Sequence, residues 1–258
     1  MKIDPISAFN DNYIWCLSST DNHSAVVVDP GDAAPVISHL QKHGLRLSAI
    51  LITHKHWDHI GGIRQLINIY PGIPVYGPRN EAIEGVTDKV CEGESIELQG
   101  IDAVLDVLDV PGHTEGHVAY LGKGVLFCGD TLFAAGCGRV FSGTHAQLYA
   151  SLQKIASLSP ATRLFCAHEY TLDNLGFAQW VEPESIALRQ RIQRDRASRE
   201  AGLPTVPSTL EEELATNPFL RCHIHQAKDA AEKYVGKQLS NGEAVFTAVR
   251  NWKDREYD

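Results

Sequence analysis

The segment Thr53-His54-Lys55-His56-Trp57-Asp58-His59 constrains this chain more than any other. Four side chains able to bind a metal stand within six residues, directly after the apolar run Ser48 to Thr53. A continuous apolar run of that length predicts a strand buried on both faces. Residues two apart in an extended loop project to the same side, so His54, His56 and Asp58 face one way. His59 opens a predicted helix and approaches from another direction. Gly61 and Gly62 follow and permit close backbone packing. Imidazole and carboxylate together suit zinc, iron or manganese.

Three more candidates occupy corresponding places. His113 follows Val107-Leu108-Asp109-Val110, Asp130 follows Val125-Leu126-Phe127-Cys128, and His168 follows Leu164-Phe165-Cys166. Each stands within a few residues of the end of a strand candidate. In open α/β sheets, sites gather at strand ends, above all on the carboxyl side. Seven ligands exceed the three or four that a single tetrahedral zinc takes from protein. They fit two ions with three ligands apiece and one shared carboxylate, for which Asp130 is the natural bridge. Two ions about 3.5–4 Å apart hold a water between them, lower its pKa and polarise a neighbouring carbonyl. That is machinery for hydrolysis. Of the other histidines, His23, His39, His43, His145, His223 and His225 read as surface or core residues. His117 repeats the Gly-His step of Gly112-His113 and reads as a supporting residue rather than a ligand.

The pattern changes near residue 172. Before it, short strand candidates alternate with turns and helix: Ala25 to Val28, Ser48 to Thr53, Val75 to Tyr76, Ser95 to Leu98, Ala103 to Val110, Val118 to Leu121, Gly124 to Cys128 and Arg163 to Cys166. Ala33 to Lys42 carries Val36, Ile37 and Leu40 at helical spacing and stops at Gly44. After it, helix dominates. Pro183 to Ala201 ends at Gly202, Ser208-Thr209-Leu210-Glu211 has the S-x-x-E form of a capping box, and Gly242 to Tyr257 is apolar at helical intervals. This predicts a layered α/β or α+β domain over 1–171 and a small helical domain over 172–258.

With 258 residues the chain can bury a substantial core. Its formal net charge of −9 weighs against nucleic acid or an anionic membrane as a partner. A small anionic ligand needs only a local basic patch. No apolar stretch approaches the ~18 residues of a membrane span, and MKIDPISAFNDNY lacks the apolar core of a secretory leader. None of the six cysteines forms a C-x-x-C pair, so buried thiols in a reducing compartment are expected. The expectation is a soluble, cytoplasmic protein, by default a monomer.

These residues resemble the metallo-β-lactamase superfamily. THKHWDH matches its T-H-x-H-x-D-H signature, and VDPGD, PGHTEGH, GDT and the late His168 appear in the expected order. The resemblance implies an αββα sandwich with the metal site at one edge of its two sheets. Within the superfamily the chain looks like the glyoxalase II (hydroxyacylglutathione hydrolase) family. AFNDNYIW, the Gly129 to Thr144 loop, the Cys166 to Asn174 segment and the C-terminal helical region with Ala248-Val249-Arg250-Asn251-Trp252-Lys253 carry that closer match, which spans essentially the whole chain. It implies His54, His56 and His113 on one metal, Asp58, His59 and His168 on the other, and Asp130 bridging. For glutathione it implies Arg139, Tyr170, Arg250 and Lys253, with Phe141 beside them where some members carry tyrosine.

The basic set has a physical rationale. Arg250 and Lys253, three apart, are neighbours on one helix face. Arg139 follows the glycine-rich Gly136-Cys137-Gly138. Glutathione presents carboxylates, which Arg binds as a fork and Lys as a point charge. The implied activity is hydrolysis of S-D-lactoylglutathione to glutathione and D-lactate by a hydroxide bridging two divalent ions, completing methylglyoxal detoxification. Zinc is the first expectation, with iron or manganese open. Asp58 or Asp130 orients the hydroxide or takes its proton. The rival readings are another binuclear hydrolase of the superfamily (a lactonase, β-lactamase, phosphodiesterase or nuclease), a one-iron persulfide dioxygenase, and a non-catalytic metal-binding module.

Overall fold

The computed structural model describes residues 1–19 and 23–257; Asp258, the last residue of the expected helical region, lies outside them. The first sheet runs in chain order: β1 (Lys2–Ala8), β2 (Asn12–Ser18), β3 (Ser24–Val28), β4 (Arg46–Leu51), β5 (Val75–Pro78) and β6 (Asp88–Val90). The β1–β2 and β2–β3 pairs are antiparallel, and the rest are parallel. Parallel neighbours need crossovers. These are α1 (Ala33–His43) between β3 and β4, then α2 (Trp57–Ile60) and α3 (Ile63–Ile69) between β4 and β5. Asp32 caps α1 by accepting the Ala34 N–H, and Gly44 ends it at φ 63°.

The second sheet contains β7 (Ser95–Glu97), β8 (Val104–Asp109), β9 (Val118–Gly122) and β10 (Val125–Gly129). A hairpin, β11 (Leu132–Phe133) with β12 (Gly136–Cys137), and helix α4 (His145–Ala156) then lead to β13 (Arg163–Cys166). Helices α5 (Thr171–Val181) and α6 (Ile186–Glu200) precede the short β14 (Ser208–Thr209), and α7 (Leu210–Thr216), α8 (His225–Val235) and α9 (Gly242–Trp252) complete the chain with a π-helical turn over Lys253–Tyr257. The sheet order is β14-β13-β10-β9-β8-β7, with only β10 and β13 parallel.

Side-chain alternation explains the layers. In β2, Trp15 and Leu17 join the core between the sheets, whereas Ile14 and Cys16 join a second core under α1 and α3. In β4, Ala49 and Leu51 face the inter-sheet core and Ile50 faces the helices. A strand alternating between two apolar layers reads as continuously apolar, as the Ser48 to Thr53 run does. The inter-sheet core also takes in Leu148 and Leu152 of α4, Phe177 of α5 and Phe246 of α9. The architecture is thus the expected αββα sandwich with a helical C-terminal part.

Several boundaries differ from expectation. β4 ends at Leu51, because the Thr53 N–H is taken by the Asp29 carboxylate at 2.7 Å. β1 had no strand signature, since Pro5 interrupts it; proline is tolerated because β1 is an edge strand. The expected Ser208 cap falls one residue later. Ser208 pairs with Leu164 in the sheet, and Thr209 accepts the Glu212 N–H as the cap of α7. The helix expected from Pro183 begins at Ile186 behind a Ser185 cap. The single helix expected over Gly242 to Tyr257 changes from α to π after Trp252. Among the described residues, no helix is long and apolar enough to cross a membrane.

Candidate metal centre

Four strands of the two sheets end at one edge of the sandwich. β4 leads to His54, His56, Asp58 and His59; β8 leads to His113, β10 to Asp130 and β13 to His168. The structure brings all seven side chains together. His54, His56, His113 and Asp130 form one group and Asp58, His59 and His168 another, with donor atoms in each group within 4.8 Å of one another. Asp130 lies between them. Its Oδ2 is 3.5 Å from both His113 Nε2 and His59 Nε2, and its Oδ1 is 3.4 Å from His168 Nε2.

The hydrogen bonds around the cluster decide which ring nitrogen faces inward. The Thr53 hydroxyl donates its only proton to Asp29 Oδ2 at 2.7 Å, so at 3.0 Å from His54 Nδ1 it must accept. His54 therefore presents an unprotonated Nε2 to the cluster. His113 Nδ1 donates to the Arg139 carbonyl at 2.8 Å, and His168 Nδ1 donates to Asp11 Oδ1 at 2.7 Å. His59 Nδ1 lies 3.0 Å from Asp29 Oδ2. Asn12 Nδ2 donates to Asp58 Oδ2 at 3.0 Å. Such outer partners fix ring orientation and raise ligand basicity.

The inward-facing atoms are short of partners. His56 Nδ1 is 3.0 Å from His54 Nε2 and 2.9 Å from His113 Nε2. One proton on His56 cannot serve both lone pairs. Asp130 Oδ1 and His59 Nε2 are buried without a well-aligned hydrogen bond. Converging imidazole lone pairs, beside a buried Asp130 oxygen that no well-aligned donor reaches, fit divalent cations.

Electrostatics agree. Burial, reinforced by neighbouring His59 and His117, pushes the His54 pKa well below the ordinary histidine value, leaving the imidazole neutral as a ligand must be. Burial would also lower His59, but the carboxylates of Asp130 and Asp29 outweigh it and hold the ring well above its ordinary value. His168 is raised to about 9: burial opposes, and Asp130 together with Asp11 prevails. Asp130 lies well below the usual carboxylate range; burial opposes, and His168 and His59 prevail. Without cations, protons on His59 and His168 would neutralise the Asp130 carboxylate in their place.

His117 stands outside the donor set. Its Nε2 accepts the Asp130 N–H at 3.1 Å, and its ring stacks on His54 at 4.6 Å. Gly129 makes this packing possible. Its φ is 48°, and a Cβ there would lie 2.4 Å from Thr53 Oγ1 and 2.8 Å from the His117 ring.

A pocket of about 400 Å³ opens directly off the cluster. Arg139, Phe141, Tyr170, Arg250 and Lys253 all border it, together with His56, Asp58, His113, Asp130 and His168. Tyr170 stacks on His168 at 4.7 Å, and Phe141 meets the edges of His56 and His113. Arg139 is half exposed, with its Nε 3.8 Å from Asp254. Arg250 is only 1% exposed. Its Nε and Nη2 both donate to Asp254 Oδ1, and its Nη1 donates to the Cys137 carbonyl. The carboxylate fork expected of Arg250 thus holds a carboxylate of the chain itself. Lys253 is buried and donates to Asp173 Oδ2 at 3.3 Å.

Sequence reasoning missed the orienting residues Asp11, Asn12 and Asp29, and the pocket residues Phe133, Cys137, Asp173 and Asn174. Asp11 and Asn12 stood inside AFNDNYIW and Asp29 inside VDPGD, so a signal was present. Asp254 carried none, because it reads as one more charge on a helix.

Residues 13–168 match the metallo-beta-lactamase superfamily profile, and residues 169–256 match that of the hydroxyacylglutathione hydrolase C-terminus. A protein of Alkalilimnicola ehrlichii named hydroxyacylglutathione hydrolase is 52% identical over 254 residues, covering 98% of this chain and 99% of its own length. One of the same name from Halorhodospira halophila is 50% identical over 251 residues, covering 97% and 98%. The solved structure of BLEG-1, a B3 metallo-beta-lactamase, superposes with a TM-score of 0.62 at 26% identity, over 85% of this chain and 98% of that one. The chain belongs to the hydroxyacylglutathione hydrolase family of the metallo-β-lactamase superfamily.

Proposed function

We propose that this protein hydrolyses S-D-lactoylglutathione to glutathione and D-lactate, with two divalent ions held by the seven-residue cluster. The observation that carries this reading is the shared pocket: the convergent donor atoms and the cations Arg139 and Lys253 border one cavity. His54, His56 and His113 would hold one ion, Asp58, His59 and His168 the other, and Asp130 both. Zinc is the first choice. When bound, the ions supply Lewis acidity toward the thioester carbonyl and lower the pKa of water.

The remaining roles belong to the chain. Arg139 and Lys253 attract the peptide carboxylates of glutathione. Arg250 braces that wall through Asp254 and Cys137. Tyr170, stacked on His168, borders the path between peptide and cluster. Asn12 donates to Asp58, and Asp58 or Asp130 would orient the water or take its proton. Water adds to the thioester carbonyl carbon, the C–S bond breaks, and sulfur leaves as a thiolate that needs little acid assistance. In this reading residues 1–171 carry the chemistry, and residues 172–258 are the substrate-binding part that completes the pocket wall with Lys253 and the Arg250 brace. We place the enzyme in a reducing cytoplasm as a monomer acting on a small molecule, in keeping with six unpaired cysteines, five of them buried.

The test follows loss of thioester absorbance from S-D-lactoylglutathione with metal-loaded and chelator-treated protein. Rapid hydrolysis that vanishes with chelator and returns with zinc is expected. No hydrolysis by protein carrying two metals per chain would overturn the reading and direct the assay to lactones and phosphodiesters.

A further inference from the structure

The hairpin of β11 and β12 carries two pocket residues, Phe133 and Cys137, and begins two residues after Asp130. Its turn places Ala135 at φ 57°, in the left-handed region that disfavours any residue with a Cβ. Such strain persists only where the surroundings impose it. The imposing groups come from α6 and α7. Glu213 Oε2 accepts the Ala135 N–H at 2.8 Å, while its Oε1 accepts Arg191 Nη2 at 2.6 Å. Asn217 Nδ2 donates to the carbonyls of Phe133 and Gly136, at 3.2 and 2.9 Å, and to Glu213. Arg191 is held in turn by Asp195 and Thr216. Glu213 and Asn217 are fully buried, and Arg191 and Asp195 nearly so.

A buried ion pair is a poor source of net stability, and well-packed apolar residues often do as well. Its worth here is geometric. A carboxylate that receives both a guanidinium and a backbone N–H sets the position of that backbone. We propose that Glu213, seated by Arg191 and assisted by Asn217, is a positioning residue: it holds the hairpin so that Phe133 and Cys137 form the pocket wall that receives the glutathione moiety. Phe133 then stands edge-on to both His168 and Tyr170, at 5.8 and 5.3 Å. The helical part thereby shapes the pocket at a distance, in addition to lining it. This inference rests on the glutathione-thioester reading of that pocket.

The test compares Asn217→Ala and Glu213→Gln with the unaltered protein. Each is assayed on S-D-lactoylglutathione and on a lactoyl thioester without the peptide, alongside metal content and Tm. The expected result is a KM for the glutathione thioester raised about tenfold, with metal content and turnover of the peptide-free thioester unchanged. Glycine adopts positive φ without penalty, so adding Ala135→Gly should restore at least half of the lost affinity. A purely structural role would lower Tm and leave KM alone; that outcome, or a failure of Ala135→Gly to restore KM, overturns the proposal. Should Glu213→Gln fail to fold, Asn217→Ala keeps the same readout. Should both fail, amide exchange at Ala135 in the unaltered protein decides: exchange as slow as the sheet core is expected, and fast exchange refutes the clamp. Failure of the glutathione reading itself would look different, as the unaltered protein would then show no preference for the peptide.

Discussion

The strand-end cluster and the pocket wall are adjacent, yet they handle charge in opposite ways. In the cluster, outer partners such as Thr53, Asp11 and the Arg139 carbonyl use up the outward nitrogens and leave lone pairs converging inward. In the wall, the cations already meet the chain's own carboxylates, Arg250 with Asp254 and Lys253 with Asp173. The cluster is therefore arranged to gain a cation with little reorganisation. On the proposed reading, the wall would take a substrate carboxylate by exchange against, or alongside, an internal one. That contrast predicts tight metal binding and modest peptide affinity.

Removing the shared carboxylate tests the cluster most severely. Asp130→Ala should lose or scramble metal and lower turnover by ~10³-fold or more, beyond the 10–100-fold typical of outer-shell partners. Full activity with full metal content would break the cluster side of the comparison.

Acid–base behaviour offers the next effect. In metal-free protein His168 titrates at about 9, against 6.5 for an ordinary histidine. Because the folded value is the higher one, protonated His168 contributes stability that is complete below pH ~6.5 and lost as pH climbs through ~9. Tm of chelator-treated protein should fall over that interval, by the equivalent of about 3 kcal/mol. Metal-loaded protein should show no such fall, since metal binding displaces those protons. A flat profile for the metal-free chain would mean that Asp130 and Asp11 do not hold the His168 proton.

On the wall side, Lys253→Met should raise KM for the glutathione thioester by about tenfold and leave kcat within about twofold. That is the lower end for a charge-assisted hydrogen bond of about 1.5–3 kcal/mol, because Asp173 already competes for the ammonium. Unchanged KM would remove Lys253 from substrate recognition. The smallest effect is assigned to Phe141→Tyr. Phe141 is exposed at the pocket rim, and a new hydroxyl there exchanges one water contact for another. KM should move by less than about threefold; a larger gain would show that the rim contacts substrate closely.

The same contrast explains what could be read from the sequence. His54, His56, Asp58 and His59 fall within six residues and follow an apolar strand, so local geometry announces them. His113, Asp130 and His168 each follow a strand, and the alternation that buries those strands also delivers their ends to one edge. The wall offers no comparable pattern. The pairing of Arg250 with Asp254 was hidden because Asp254, four residues on, is indistinguishable in sequence from solvated charge. The Glu213–Ala135 contact joins residues far apart in the chain, and nothing local marks either end. Pro5 hid a genuine edge strand, and the π turn at Lys253 is invisible to a period of 3.6.

One comparison tests the division between cluster and wall most directly: kcat/KM for S-D-lactoylglutathione against kcat/KM for a lactoyl thioester lacking the peptide, on metal-loaded protein. A cluster that performs the chemistry and a wall that reads the peptide predict a ratio of about a hundredfold or more, carried mainly by KM. Equal values would contradict the account, leaving a metal-dependent thioesterase whose basic wall plays no part in choosing its substrate.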